Sequence, residues 1–227
     1  MIPGTVLVTG GASGLGAAVA AAVEKAGGRA YVLDRVAPEA DVDHTVVDLA
    51  DAAAAADAVR TAVERTGGLQ AVVTCAGVDA CGRLEDVAWE DWERVVAVNL
   101  LGTAAVVRAA LPSLRESHGR VVTVASTLGL RALPDATAYC ASKFAVVGFT
   151  RALSVELAGE VGVTLLVPGG MRTAFFDGRT EQYKPPADAM LNTPEDVARA
   201  VVFALETPPG CEVRELVVTP SVEPSWP

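Results

Sequence analysis

Residues that bind metals or cross-link a chain are scarce here: 227 residues include four cysteines and two histidines. Cys75, Cys81, Cys140 and Cys211 are scattered, none belongs to a C-x-x-C pair, and no histidine stands at ligand spacing. Neither a disulfide framework nor a zinc site is expected, and the thiols read as reduced, with no metal. Basic residues are outnumbered, with 18 Lys and Arg against 28 Asp and Glu, a formal net charge of −10. No basic run appears, which argues against a nucleic-acid partner, because such binding needs clustered cations. Also missing is any uninterrupted apolar run of the roughly 18 residues that a membrane span needs. Met1 leads almost directly into a strand-like Thr5-Val6-Leu7-Val8 without a basic leader. A cytoplasmic protein without a membrane partner is expected.

What the chain does have is apolar content, 51% of its residues, enough for a sizeable core in one domain spanning 1–227. Short β-branched runs alternate with longer alanine-rich stretches, the pattern of a parallel sheet covered by helices on both faces. Strands are expected at 5–9, 29–34, 45–48, 70–74, 120–125, 163–167 and 215–219. They are nearly continuous in apolar residues, as strands buried on both faces should be. Right-handed crossovers then favour an α/β, Rossmann-type doubly wound sheet in the order 3-2-1-4-5-6-7. The alanine run from Ala52 to Ala56 lies inside a helical stretch ending at Thr66-Gly67-Gly68, and Thr193-Pro194-Glu195-Asp196 supplies a cap, a first-turn proline and acids for a last helix.

Between the first strand and the first helix stands Thr9-Gly10-Gly11-Ala12-Ser13-Gly14-Leu15-Gly16. Glycines at 10, 14 and 16 permit a tight turn and close approach of backbone N–H groups to a pyrophosphate at the positive end of the helix. Taken alone, the glycines equally suit an empty strand-to-helix turn. Asp34 ends the second strand, 18 residues beyond Gly16, near the spacing at which an acid meets the adenosine ribose. Strand, glycine turn, helix, strand and acid in that order point to a dinucleotide.

The third signal is Tyr139-Cys140-Ala141-Ser142-Lys143, preceded by Ser126 thirteen positions before the tyrosine. A Tyr and a Lys four apart share a helix face. A free phenol titrates near 10, and an adjacent ammonium is expected to pull that value down, making Tyr139 a proton donor and acceptor. Ser126 at the end of the fifth strand is placed to hydrogen-bond a substrate oxygen whose charge changes. Singly, each has a plainer reading: a strand-end cap, a half-buried aromatic, a solvated charge.

Together, Thr9-Gly-x-x-x-Gly-x-Gly16, Asn99, Ser126 and Tyr139-x-x-x-Lys143 resemble the short-chain dehydrogenase/reductase family, from Thr5 to about Thr219. The likeness includes Asp48-Leu49 after the third strand, Cys75-Ala76-Gly77 after the fourth and Pro168-Gly169 after the sixth. It implies an NAD(P)-dependent oxidoreductase acting on a small or medium carbonyl or secondary alcohol, with Asn99, Ser126, Tyr139 and Lys143 catalytic. Asn99 would order a helix bend and a water relay to Lys143. The cofactor set it implies comprises Gly10, Ser13, Gly14, Leu15, Gly16, Asp34, Arg35, Asp48, Leu49, Cys75, Ala76, Gly77, Asn99, Tyr139, Lys143, Pro168, Gly169 and Thr173. In it Asp48 meets the adenine, Lys143 the nicotinamide ribose and Thr173 the carboxamide. Asp34 favours NAD(H), with Arg35 leaving NADP(H) as the second cofactor. A homodimer or homotetramer packed through helices at 92–115 and 139–159 is also implied. Two other functions stay open: a non-catalytic dinucleotide-binding regulator, and epimerase or dehydratase chemistry, for which the stretch after Thr173 is short.

Departures from the family pattern are Thr74 and Cys75, where Asn-Asn is usual, and Val167 in place of Asn. Thr74 is expected to weaken a contact within the sheet. Residues 174–192 occupy the place of a substrate lid, with Phe175, Phe176, Tyr183 and Met190 offering apolar surface and Arg179 and Lys184 charge. The tail 223–227 is expected either to dock on a neighbouring subunit or to be disordered.

Overall fold

The computed structural model describes Ile2 and residues 4–225. Seven parallel strands form one sheet: β1 (Thr5–Thr9), β2 (Arg29–Asp34), β3 (Asp43–Val46), β4 (Ala71–Thr74), β5 (Arg120–Val124), β6 (Gly162–Pro168) and β7 (Glu215–Val218). Their order is β3-β2-β1-β4-β5-β6-β7, as the alternation of strand and helix predicts. The central strands are buried throughout because both faces are covered. Val6, Val8 and Val32 pack with Val19 and Val23 of α1 (Gly14–Lys25) and Val197 and Val201 of α6 (Pro194–Leu205). Leu7, Tyr31 and Leu33 point the other way, into Ala55 and Val59 of α2 (Ala52–Thr66) and Val106 and Leu114 of α4 (Thr103–Glu116). Strand alternation thus builds two cores from one sheet.

Helix ends follow the local chemistry. Asp51 accepts hydrogen bonds from the N–H groups of Ala53 and Ala54 at 3.0 Å to start α2, and Thr193 caps α6 through Asp196 N at 3.2 Å. Ser13, by contrast, makes no capping bond at the start of α1, and that helix has no acid in its first turn.

Trp89–Glu116 runs as one helical stretch of 28 residues, α3 (Trp89–Val96) joined to α4 by a wide turn at Ala97–Gly102, apolar enough by composition to cross a membrane. Here α3 packs on α5 (Thr137–Glu156), α4 packs on α2, and the stretch carries Asn99 inward.

Strands β4, β5, β6 and β7 differ from their expected limits by one residue at one or both ends, and β3 departs by two. β3 occupies Asp43–Val46 rather than 45–48, because it is an edge strand whose register is set by β2, with Tyr31 opposite Asp43 and Asp34 opposite Val46. Arg29 reinforces that register with an ion pair to Asp43 at 2.6 Å. Asp48 is thereby released from the sheet into the following turn.

Candidate active site

Chain order reverses between β2 and β4, on either side of β1, and in such sheets ligands bind outside the carboxyl ends of the strands near that point. The residues singled out in the sequence gather along this edge. After β1, Gly10 turns with φ +69°, and a Cβ on it would meet the Ala76 backbone at 2.8 Å. A Cβ on Gly16 would sit 2.1 Å from the Gly10 carbonyl oxygen, so any side chain there breaks the turn. Beside it, Asp34 Oδ2 accepts from Ala12 N at 3.0 Å and Oδ1 from Val36 N at 3.2 Å, which holds the carboxylate against the glycine turn. Thr173 lies close to the same turn, 3.5 Å from where a Gly14 Cβ would be. A glycine cradle, a helix start without a side-chain cap and an adjacent carboxylate fit a dinucleotide: Gly10–Gly16 would hold its pyrophosphate and Asp34 its ribose.

Asp48, expected to meet the adenine, is exposed, accepts from Ala50 N at 3.0 Å and pairs with Arg94 Nη2 at 2.9 Å. The Ala50 hydrogen bond is the main reason its carboxyl lies below the usual range, aided by Arg94 and Arg35. Arg94, on α3, was not anticipated; nothing in the sequence marks it as a partner 46 positions away. Leu49 is buried, and Arg35 is exposed.

Asn99 is 1% exposed and sits in the wide turn. Its Oδ1 accepts from Val78 N at 2.8 Å, and its Nδ2 donates to Val78 O at 2.9 Å and Ser142 Oγ at 3.0 Å. It therefore ties the loop after β4, which begins Cys75-Ala76-Gly77, to the helix that carries Tyr139 and Lys143. A Cβ on Gly77 would lie 3.5 Å from Asn99 Oδ1 and 3.6 Å from Lys143 Nζ, so that glycine keeps the space beside both open.

Lys143 is 4% exposed and donates to the Val124 carbonyl at 2.9 Å, with its ammonium 5.6 Å from the Tyr139 ring centroid. Burial pushes it down to about 8. The Tyr139 phenol moves opposite to expectation: burial pushes it up to about 12, outweighing a hydrogen bond to Ser126 that works the other way. Asp79 raises the phenol further and Arg179 lowers it. Helical spacing brought the ammonium near the ring, but desolvation on burial sets the direction for both groups, and Lys143 is not among the main causes of the phenol's shift. Cys75 beside them is also driven up by burial, to about 12, and stays a thiol.

The departures from the family pattern have visible results. The Thr74 hydroxyl is buried with no hydrogen-bond partner. Val167 is fully buried in β6, while Gly169 N still reaches the Val218 carbonyl at 2.9 Å and keeps the Pro168-Gly169 turn. Within residues 174–192, where a lid is expected, Phe175 lies against Tyr139 at 5.7 Å between centroids, and Arg179 pairs with Asp79 at 2.5 Å. A cavity of about 350 Å³ is lined wholly by residues between 172 and 191, including Arg172, Thr173, Phe176, Asp177, Lys184 and Pro186. From the tail, Glu223 accepts from Gly170 N at 2.7 Å and Ser225 bonds to Thr127 at 2.6 Å, so residues 223–225 fold onto their own chain. Trp226 and Pro227 lie outside the described residues.

Comparison with known proteins gives the family and supports the fold. The family profile described as short chain dehydrogenase matches residues 4–184. An uncharacterized oxidoreductase of Staphylococcus aureus (strain MW2) is 32% identical over 94% of this chain and 96% of its own length. A glycine betaine reductase of Emericella nidulans is 31% identical over 96% of this chain, which spans 19% of that longer protein. Among solved structures, an alcohol dehydrogenase from Thermococcus sibiricus complexed with 5-hydroxy-NADP superposes with a TM-score of 0.85 at 25% identity, covering 94% of this chain and 95% of that one. The ligand-free aldohexose dehydrogenase of Thermoplasma acidophilum gives 0.85 at 24% identity, over 95% and 92% of the two chains, a likeness of fold.

Proposed function

The chain belongs to the short-chain dehydrogenase family of oxidoreductases, and from that premise we propose that it moves hydride between a nicotinamide dinucleotide and a small or medium carbonyl or secondary alcohol, with Tyr139 as the acid-base group. The observation that carries this reading is the convergence of Ser126, Tyr139, Lys143 and Asn99 at the carboxyl ends of β4 and β5, beside the glycine turn. A bound nicotinamide supplies the hydride donor or acceptor. Ser126 and Tyr139 hydroxyls hold the substrate oxygen, and Tyr139 gives or takes its proton. Lys143, held by the Val124 carbonyl, keeps a positive charge near the phenol ring and would meet the nicotinamide ribose of a bound cofactor. Asn99 fixes the distance between the β4 loop and α5 on which this alignment depends.

The raised phenol stays protonated at neutral pH, which suits donation to a carbonyl in the reduction direction. In the oxidation direction Tyr139 must first lose its proton, so that rate rises with pH. NAD(H) is the preferred cofactor in this reading because Asp34, held against the glycine turn, would meet the adenosine ribose, where a 2′-phosphate would face like charge. The Thermococcus sibiricus relative, complexed with an NADP derivative, and the neighbouring Arg35 keep NADP(H) as the second cofactor. The enzyme is read as a cytoplasmic homo-oligomer. Tyr139→Phe tests the core of the proposal: nicotinamide-linked turnover on a panel of ketones, sugars and secondary alcohols should vanish, while NADH binding, followed by fluorescence titration, stays within about twofold. Retention of most of kcat would sink the mechanism.

A further inference from the structure

The lid is fastened to the β4 loop by a largely buried ion pair, and that pair consumes a guanidinium that borders the reacting group. Asp79 and Arg179 stand 100 positions apart, with side chains only 7% and 18% exposed. Arg179 Nη2 donates to Asp79 Oδ2 at 2.5 Å and Nη1 to the Tyr183 carbonyl at 3.2 Å. Its guanidinium carbon lies 4.9 Å from the Phe175 ring centroid and 4.6 Å from that of Phe176, while Nε is buried without a partner. Phe175 in turn lies against Tyr139. Asp79 is also held from its own loop, Oδ1 by Ala80 N at 2.8 Å and Oδ2 by the Cys81 thiol at 3.2 Å. Nearby, Asp135 accepts from the Tyr183 hydroxyl at 3.3 Å, adding a second carboxylate to this wall.

We infer that the Asp79–Arg179 pair is a specificity device: it latches residues 174–192 over Tyr139 and neutralises Arg179 internally, so that the wall beside Tyr139 favours uncharged substrates over carboxylates and phosphates. A substrate anion is drawn to an ammonium or guanidinium whose charge is not already balanced by a buried carboxylate. Arg179 has its charge balanced by Asp79, one N–H of each terminal nitrogen engaged and its faces against aromatic rings, and an incoming anion would also meet Asp79 and Asp135. Removing the Asp79 charge leaves a buried cation that lacks its counterion, the state in which an anionic ligand is most strongly drawn. The substrate half of this inference rests on the oxidoreductase reading above; the latch half stands on the contacts alone.

The test uses the full chain with Asp79→Asn, Arg179→Gln and the double variant, and two readouts. The first is kcat/KM for ethyl benzoylformate against benzoylformate, a neutral and an anionic ketone of the same skeleton. Wild type should favour the ester by about tenfold or more, Asp79→Asn should shrink that ratio by about tenfold through KM for the acid, and the double variant should restore it. The second is hydrogen exchange of the amides at 174–192, which should speed by about tenfold in all three variants. A wild type that prefers the acid, an unmoved ratio in Asp79→Asn, or unchanged lid exchange would each overturn the inference. Absence of turnover on these and every other ketone and alcohol strikes instead at the oxidoreductase reading, and the exchange measurement then decides the latch without it.

Discussion

Lys143→Met should abolish activity and at the same time make the protein more stable. The ammonium is 4% exposed, and burial lowers it from an ordinary 10.5 to about 8. At neutral pH the folded state therefore carries a charge that it would hold more comfortably in water, at a cost of about 3 kcal/mol. Methionine fills similar space without the charge, but leaves the Val124 carbonyl without its 2.9 Å donor, which offsets about 1 kcal/mol. The net gain is about 2 kcal/mol, or roughly 4–8 °C in Tm for a chain of this size. The sign is set by the depressed value: below pH 8 both folded and unfolded chains hold the proton, so the full cost is present. Between about 8 and 10.5 the unfolded chain binds more protons than the folded one, so wild-type stability rises with pH. The gap between the two proteins should therefore be widest at pH 7 and narrow steadily toward pH 10.5. Thermal melts of both proteins across that range, without cofactor, measure it. A variant that melts at or below the wild type at pH 7, or a gap that does not narrow, refutes the claim that burial of the ammonium is a cost carried for function.

Three further outcomes follow from the same structure. Asp34→Ser should raise the NADP(H)-to-NAD(H) ratio of kcat/KM by about tenfold, since even a third of the ~4 kcal/mol repulsion between like charges at 4 Å carries that factor; an unchanged ratio would show that Asp34 is not the selector. Thr74→Val should stabilise the fold by about 1 kcal/mol in chemical denaturation, because the buried hydroxyl has no partner to lose; a destabilised variant would mean that the hydroxyl is satisfied in solution. Sedimentation velocity at micromolar concentration should give a homodimer or homotetramer, associating through the helices that contain residues 92–115 and 139–159, and a single monomeric species would count against it.

Much of this architecture was legible in the chain before any coordinates. Valine-rich runs such as Thr5–Thr9 and Arg120–Val124 have a period and composition that only a strand covered on both faces satisfies, and handedness then leaves few sheet orders. The glycine turn, Asp34 and the Tyr139–Lys143 spacing were equally plain, because their chemistry depends on residues held at fixed local distances. Tertiary structure decided the rest. The β3 register was set by β2 and the Arg29–Asp43 pair rather than by β3's own residues. The direction in which Tyr139 and Lys143 shift depends on how deeply each is buried, which helical spacing does not encode. The anchoring of Lys143 on Val124, of Arg94 on Asp48, of Glu223 on Gly170 and of Arg179 on Asp79 joins residues 19 to 100 positions apart. Local sequence specifies elements through propensity and periodicity, whereas electrostatic environment and long-range pairing exist only once the chain has closed on itself and excluded water.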